Sequence, residues 1–131
     1  MNNVFKIELK GIQPSQLYIN SEKLACVIEK GSYEPLPIKE LNGRVIFTDG
    51  HTRAFASYLG GKTVIDVYWD DDDLDWQAYQ ICVDWCLQPG IYTIADLVGR
   101  VVTQDEYEIR WLRRCNEMHT RLAQTRLDLE S

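Results

Sequence analysis

Along the chain, short apolar runs alternate with segments in which apolar residues recur at helical spacing. Residues 45–47 form an apolar run that is typical of a buried strand. Residues 54–59 carry alanine, phenylalanine, tyrosine and leucine at the spacing of one helix face, so they predict a helix. The polar residues 49–53 therefore lie at a corner where a strand ends and a helix begins.

The same pattern predicts further elements on both sides of this corner. Residues 22–30 favour a helix that ends at Gly31, and residues 35–41 favour a strand that turns at Asn42-Gly43. Residues 60–68 add another strand. The first half of the chain is thus predicted to mix strands and helices.

The second half is predicted to be helical. Helical spacing runs over residues 76–87 and stops at Pro89-Gly90, and a second helix begins at Thr93. Residues 103–106 form a capping box that opens a long amphipathic helix running toward Asp128. The last turns of this helix lose apolar periodicity, so we expect them either to fray or to mediate a homodimer.

The corner has the composition of an anion site. The first N–H groups of a helix have no partner inside it and lie at the positive end of its dipole. Gly50, His51 and Thr52 offer such groups, and Arg53 adds a cation. A purely structural alternative stays open, in which Asp49 is the N-cap, Gly50 makes a tight turn and Arg53 pairs with a nearby carboxylate.

Several segments resemble the ParB/sulfiredoxin superfamily in their order and spacing. Ile12-Gln13-Pro14-Ser15-Gln16-Leu17 is similar to the family's opening I-x-P-S-x-L, residues 35–41 to its Q-P-I-x-V strand, and residues 60–68 to its A-G-x-x-x-V-P-V. Gly50 and Arg53 match the phosphate-binding Gly-x-x-Arg that its members share at this corner.

The resemblance implies an α+β fold. Its small mixed sheet with helices would span about residues 5–69, and a helical C-terminal extension over residues 74–128 would pack on it. A length of 131 residues, 45% of them hydrophobic and 26% charged, fits one globular domain over residues 1–131.

Within this resemblance, the corner residues separate the activities. Sulfiredoxins carry a cysteine after the glycine, where this chain has His51, so sulfiredoxin chemistry is not expected. Chromosome-segregation ParB proteins bind CTP with Gly-Glu-Arg-Arg, whereas His51 and Thr52 replace the Glu-Arg pair here. A third branch carries Asp-Gly-His-His-Arg and includes nucleotide-dependent kinases of small hydroxyl substrates. The chain keeps Asp49, Gly50, His51 and Arg53 of that pattern and departs at Thr52, so it resembles this branch most closely.

This branch implies a nucleotide-dependent phosphotransferase or a nucleotide hydrolase. The corner would hold a nucleoside di- or triphosphate, with or without Mg²⁺, and Asp49 would act as the base. His51 would add a second donor; its alternative is a polar histidine that is hydrogen-bonded to backbone. The competing function is a non-catalytic module in which nucleotide binding changes the contacts of the helical half with a protein partner.

Three flanking residues are weaker candidates. Lys39 and Arg44, on the predicted hairpin, offer further phosphate contacts, although such residues are usually only solvated. Some kinases of this fold use a glutamate from the region of Glu34, which here stands in the loop of residues 31–35. An ordinary exposed loop acid is the favoured alternative for Glu34.

The charge distribution argues against duplex DNA as a partner. The formal net charge of −6 lacks the basic footprint that DNA phosphates require. ParB proteins also place a helix-turn-helix domain after the nucleotide domain, whereas residues 69–76 here are acidic and tryptophan-rich. A Mg²⁺ site is one interpretation of this run, but a solvated loop that caps the next helix is favoured.

Cysteine and histidine positions raise a metal hypothesis that we do not favour. Two pairs of residues lie at positions i and i+4 of predicted helices: Cys82 with Cys86, and Cys115 with His119. Because cysteine and histidine are zinc ligands, these four side chains could form a tetrahedral zinc site. Because helical Cys-x3-Cys is not a common zinc spacing, we expect core packing and no metal. With Cys26, this cysteine usage fits a reducing compartment. No signal peptide or membrane-spanning run is recognised, so we expect a cytoplasmic protein without membrane partners.

Overall fold

The computed structural model describes residues 3–31 and 33–130, and its centre is a four-stranded mixed sheet. The strand order is β1-β5-β3-β4, with β1 antiparallel to β5, β5 parallel to β3, and β3 antiparallel to β4. The strands are β1 (Phe5–Glu8), β3 (Leu36–Leu41), β4 (Arg44–Phe47) and β5 (Val64–Trp69). Two short strands, β2 (Ile19–Asn20) and β6 (Val101–Val102), pair in parallel outside this sheet.

The hairpin between β3 and β4 turns at Asn42 and Gly43, as predicted. Both residues have positive φ angles, 50° and 79°, which is the backbone requirement of a tight turn that matches strand twist. The ladder that follows pairs Leu41 with Arg44 and Ile38 with Phe47. This register places the end of β4, Phe47, next to the corner.

Two helices follow the sequence prediction closely. Helix α1 (Ser21–Lys30) starts at Asn20, whose side chain accepts a hydrogen bond from the Glu22 N–H at 3.0 Å, and it ends at Gly31 with φ 73°. Helix α2 (His51–Leu59) begins directly at the corner.

The second half is helical, with differences in helix type. Helix α3 (Trp76–Leu87) starts as predicted, and Asp75 caps it. The segment after Thr93 is a 3₁₀ helix (Ile94–Arg100) that begins with a capping box between Thr93 and Asp96. The long helix is continuous but changes type: α4 (Gln104–Tyr107), a π-helical turn (Glu108–Leu112) and α5 (Arg113–Glu130).

The expectation that the last turns fray is wrong. Helix α5 runs to Glu130, and the Arg126 guanidinium donates to Asp75 Oδ1 at 2.8 Å and to Gln77 Oε1 at 2.7 Å. These bonds tie the last turns to the start of α3. The same guanidinium lowers the pKa of Asp75. A homodimer role for these turns stays a prediction.

Sheet, helices and C-terminal extension contribute to one apolar cluster. Its most enclosed large side chains include Phe47, Phe55 and Ile38 from the first half, and Ile94, Leu97 and Cys86 from the second. Trp111 joins them with 6% of its surface exposed, so the π-helical turn is anchored in this cluster. Among the described helices, none combines the length and the apolar character needed to cross a bilayer.

Replacing Gly43 with alanine should destabilise the protein by about 1 kcal/mol because a Cβ atom is disfavoured at its positive φ. Space is not the limit, since an added Cβ would meet no atom within 4 Å. The matched control is Gly99→Ala, where the Cβ also meets nothing and no positive φ is present. Urea unfolding should show a loss only for Gly43→Ala; equal effects would contradict the strain argument.

Candidate functional site

The corner is made by Gly50 in a left-handed conformation. β4 ends at Phe47, and Gly50, with φ 78°, is the N-cap of α2. The first hydrogen bond inside the helix runs from Ala54 N to Gly50 O at 2.9 Å. The N–H groups of the first turn therefore precede any intrahelical acceptor. This is the arrangement that the sequence predicted.

Asp49 does not cap this helix. Its Oδ1 accepts a hydrogen bond from the adjacent Gly50 N–H at 2.7 Å, and α2 has no side-chain cap. The carboxylate is exposed to solvent. The capping alternative for Asp49 is therefore wrong, and one of its oxygens has no partner among the described residues.

Arg53 lies folded back against Gly50. A Cβ atom built on Gly50 would lie 3.0 Å from the Arg53 guanidinium and 2.8 Å from Leu36 Cδ2, so only glycine leaves room for this arrangement. Arg53 is half-buried, and none of the ion pairs in the described chain involves it. The alternative in which Arg53 pairs with a carboxylate does not hold here.

His51 is almost completely buried, with 4% of its surface exposed. Its Nε2 accepts a hydrogen bond from the Ser15 backbone N–H at 2.9 Å, while Ser15 Oγ donates to Phe47 O at 2.7 Å. Burial lowers the pKa of His51 to about 4. The ring is therefore neutral at pH 7, and its proton lies on Nδ1 because Nε2 is the acceptor. This is the backbone-bonded role that stood as the alternative for His51, and it leaves only Nδ1 to donate to a ligand.

Two further predicted site residues are Thr52 and Glu34. Thr52 is buried in the first turn of α2, with its N–H at the corner. Glu34 is exposed and lines one surface opening together with Arg53 and Tyr68. Ser32, in the same loop as Glu34, lies outside the described residues.

The two flanking cations are engaged elsewhere. Lys39 donates to Asp72 O and lies over the Trp76 ring, 5.0 Å from its centroid. Arg44 is exposed and contacts Gln13 Oε1 at 3.5 Å. Lys39 thus restrains the acidic loop, and its use in ligand binding stays a prediction.

The acidic run is a hydrogen-bonded loop beside the corner. Asp70 accepts from Thr48 Oγ at 2.7 Å with one oxygen and from the Asp72 N–H at 2.8 Å with the other. Tyr79 Oη donates to Thr48 O at 2.9 Å, and burial, followed by the charge of Asp49, raises the pKa of this tyrosine.

Three openings meet around this corner. The Arg53 opening shares Tyr68 with an acidic opening that also contains Asp49. The acidic opening shares Thr48, Asp49 and Tyr79 with a cleft under the C-terminal helices. Asp49 thus borders two of these openings. Sequence reasoning gave no site role to Tyr79, because its helical spacing indicates only core packing.

All four cysteines are free thiols; Cys26 is exposed, and the other three lie in or beside the apolar cluster. Cys86 is fully buried, and burial raises its pKa to about 12. Cys82 and Cys115 are hydrogen-bonded to each other across α3 and α5, which raises the pKa of Cys82 and lowers that of Cys115. Within the described residues, no three or more His, Cys, Asp or Glu side chains are grouped to hold a metal ion.

Comparisons with known proteins concern the fold. No protein-family model matches the chain, and no curated protein matches it. The chain is similar to the solved structure of protein Atu1540 from Agrobacterium tumefaciens, with 12% identity and a TM-score of 0.53 over 74% of this chain. It spans 62% of the length of Atu1540. Sulfiredoxin from Arabidopsis thaliana matches with 16% identity and a TM-score of 0.46, over 53% of this chain and 86% of that one.

Atu1540 has a ParB-like fold, so the similarity shows that this chain shares that fold. The predicted α+β fold, a small mixed sheet followed by a helical C-terminal half, is confirmed. Identities this low concern architecture alone, and a shared architecture does not determine chemistry.

The burial of His51 should make stability fall in acid. The pKa of His51 is about 4 in the folded chain, below the ordinary histidine pKa of 6.5. Between these two pH values the unfolded chain therefore binds a proton that the folded chain excludes. The stabilisation is fully present above pH 6.5 and is lost as the pH falls to 4, by about 3 kcal/mol in total. Urea unfolding of the wild type and of His51→Gln at about pH 7.5 and about pH 4.5 measures this difference. Equal pH dependence in the two proteins would contradict it.

Proposed function

We propose that the chain binds a nucleoside di- or triphosphate at the corner and transfers its terminal phosphoryl group, or hydrolyses it, with Asp49 as the base. The observation that carries this proposal is Arg53, a half-buried guanidinium without an ion pair in the described chain, held against the N-terminus of α2. A guanidinium close to N–H groups that have no intrahelical acceptor favours a phosphate.

The neighbouring groups support the same assignment. The first-turn N–H groups of His51, Thr52 and Arg53 lie on the side of the corner where the helix dipole is positive. Glu34 shares the Arg53 opening and is the second carboxylate of the proposal. Lys39 stays a weaker candidate because its ammonium group already contacts the acidic loop.

Asp49 supports catalysis over simple binding. Its carboxylate does not cap the helix and is exposed, with one oxygen free to accept a proton from an attacking hydroxyl or water. Mg²⁺ would enter as a complex with the nucleotide phosphates, which is how this ion is usually held in phosphotransferases. The cytoplasmic location remains part of the proposal, supported by the four free thiols.

A non-catalytic module is the second candidate. The specific observation in its favour is that the helical extension touches the corner directly, through the bond from Tyr79 Oη to Thr48 O. Nucleotide binding beside Thr48 could therefore alter how the extension meets a protein partner. The two functions differ in what Asp49 does.

Arg53→Ala should weaken nucleotide binding by about tenfold to a hundredfold, because it removes a charge-assisted contact. The readout is thermal stabilisation by ATP, ADP, CTP and GTP with and without Mg²⁺, since a ligand at a hundred times its Kd stabilises by about 2.7 kcal/mol. Arg44→Ala, which removes an exposed arginine engaged with Gln13, is the matched control.

Gly50→Ala gives an independent test of the same cradle, because its Cβ would displace the guanidinium. No stabilisation of the wild type by any of the nucleotides, or equal stabilisation of Arg53→Ala, would refute the phosphate site.

Asp49→Asn should leave nucleotide affinity within about twofold and lower turnover by about a hundredfold or more, because the amide cannot accept the proton. Phosphate release or transfer measured under saturating nucleotide is the readout. Unchanged turnover would remove Asp49 as the base, and absent turnover in the wild type with retained binding would favour the module.

A further inference from the structure

The antiparallel pair of helices α3 and α5 places two cysteines side by side. Near the end of α3, Trp85 packs edge-on against Trp111 of the π-helical turn, with 5.9 Å between the ring centroids. At the other end of the pair, the start of α3 is bound to the last turns of α5 by the guanidinium contacts described above. Cys82 lies one turn before Trp85, and Cys115 lies one turn after Trp111. Contacts on both sides therefore hold these two thiols opposite each other, in hydrogen-bond contact.

The pair can be reached from outside the core. Cys82 lines the cleft under the C-terminal helices, which has a volume of about 300 Å³. Both cysteines of the pair are half-buried, whereas Cys86, one turn further along α3, is fully enclosed. A molecule as small as hydrogen peroxide can therefore approach Cys82 and Cys115 through the cleft, while Cys86 is reached only if the core opens.

A guanidinium beside the pair favours the thiolate form of one member. Arg114 Cζ lies 4.1 Å from the centroid of the Trp85 ring, so this cation is held at the contact between α3 and α5. The hydrogen bond from the Cys82 thiol lowers the pKa of Cys115, burial opposes this effect, and the charge of Arg114 lowers the pKa further. The same hydrogen bond, together with burial, raises the pKa of Cys82. Because the thiolate is the nucleophile, Cys115 is the first of the two to react.

We propose that Cys82 and Cys115 form an oxidative modification site, in which hydrogen peroxide converts the two thiols into a disulfide between α3 and α5. The Cys115 thiolate attacks one peroxide oxygen, the O–O bond breaks and hydroxide leaves, which gives a sulfenic acid. The sulfur of Cys82 then gives up its proton and attacks the sulfenic sulfur, so that the S–S bond forms and the sulfenic hydroxyl leaves as water. Two electrons pass from the two sulfurs to the peroxide, which ends as two water molecules.

The site is independent of the phosphate site, because neither thiol borders the Arg53 opening. It is compatible with the reducing compartment proposed above, since disulfides in such compartments are usually transient ones that respond to oxidants. The new bond lies in the wall of the cleft, so its formation ties α3 to α5 beside the corner.

Oxidation of the wild type by a slight excess of hydrogen peroxide tests the site, with disulfides mapped by non-reducing peptide mass spectrometry. In the folded protein the disulfide between Cys82 and Cys115 should form at least about tenfold faster than any other pairing, because these two thiols are already in contact. In the same protein unfolded by urea, this preference should vanish, because Cys82 and Cys86 are then much closer along the chain. A mixture of pairings in the folded protein, or no disulfide, would overturn the proposal. The comparison needs no variant, so it stands even where a substituted protein fails to fold.

Single variants separate the roles of the two thiols. In Cys82→Ser, Cys115 should still be oxidised, now to a sulfenic acid that dimedone traps. In Cys115→Ser, Cys82 should stay reduced at the same peroxide concentration. The matched control is Cys26→Ser, which removes the exposed thiol of α1 and should form the disulfide as the wild type does. Trapping at Cys82 and not at Cys115 would overturn the assigned order of attack.

Arg114→Gln should slow disulfide formation about threefold or more, because it removes the cation beside Cys115. Arg113→Gln removes an exposed neighbouring arginine that lines a different groove, so it should leave the rate unchanged. The disulfide should also raise the midpoint of thermal unfolding by about 5 °C or more, because it closes a long loop between helices that are in contact in the folded chain. A lower midpoint in the oxidised protein would show that the native packing excludes this bond, and it would reject the site.

Discussion

The hydrogen bond from the Ser15 backbone N–H to His51 Nε2 is the interaction on which the candidate site depends. It lies in the interior, where an unpaired N–H would cost about 1 to 3 kcal/mol. It joins the loop before β2 to the first residue of α2, while Ser15 Oγ binds Phe47 O at the end of β4. Loop, strand and helix are thereby held in one geometry. The same bond determines which ring nitrogen of His51 carries the proton, and thus what this side chain can offer a ligand.

Because the chain has a net charge of −6, an anion at the corner must be held by short-range contacts that outweigh the repulsion from the rest of the protein. Beside the corner, Asp70 accepts hydrogen bonds from Thr48 and from a backbone N–H. Lys39, which donates to Asp72 O, brings one positive charge to the acidic loop. Arg53 is half-buried, and its guanidinium can contact a phosphate without further basic residues on the surface around it. A phosphate at this corner would be held by direct contacts and by the dipole of α2, which acts over about one turn. Such a site is compatible with an acidic surface.

The strand, corner and hairpin could be predicted from sequence because each depends on local information. Asn42-Gly43 demands a tight turn, and the apolar run of residues 45–47 followed by helical spacing requires a corner at Gly50. What the sequence could not reveal depends on contacts between distant segments. The bond between Ser15 and His51 is one, and the π-helical turn around Trp111 is another. The same limit applies to Asp49, because the local sequence is equally compatible with a side chain that caps the helix and with one that is exposed.

The helical extension forms one wall of the cleft beside the corner. Without the extension, His51 and Asp49 would lie at a more open surface. Trp111, Tyr79 and His119 come from the extension and turn that surface into a cleft of limited volume. Trp111 is anchored in the apolar cluster and Arg126 holds the far end of the helix to Asp75, so the wall of the cleft is fixed at two points. Because the corner is made by the sheet and α2 while one wall of the cleft is made by the extension, the shape of the cleft can change with the extension while the corner stays intact.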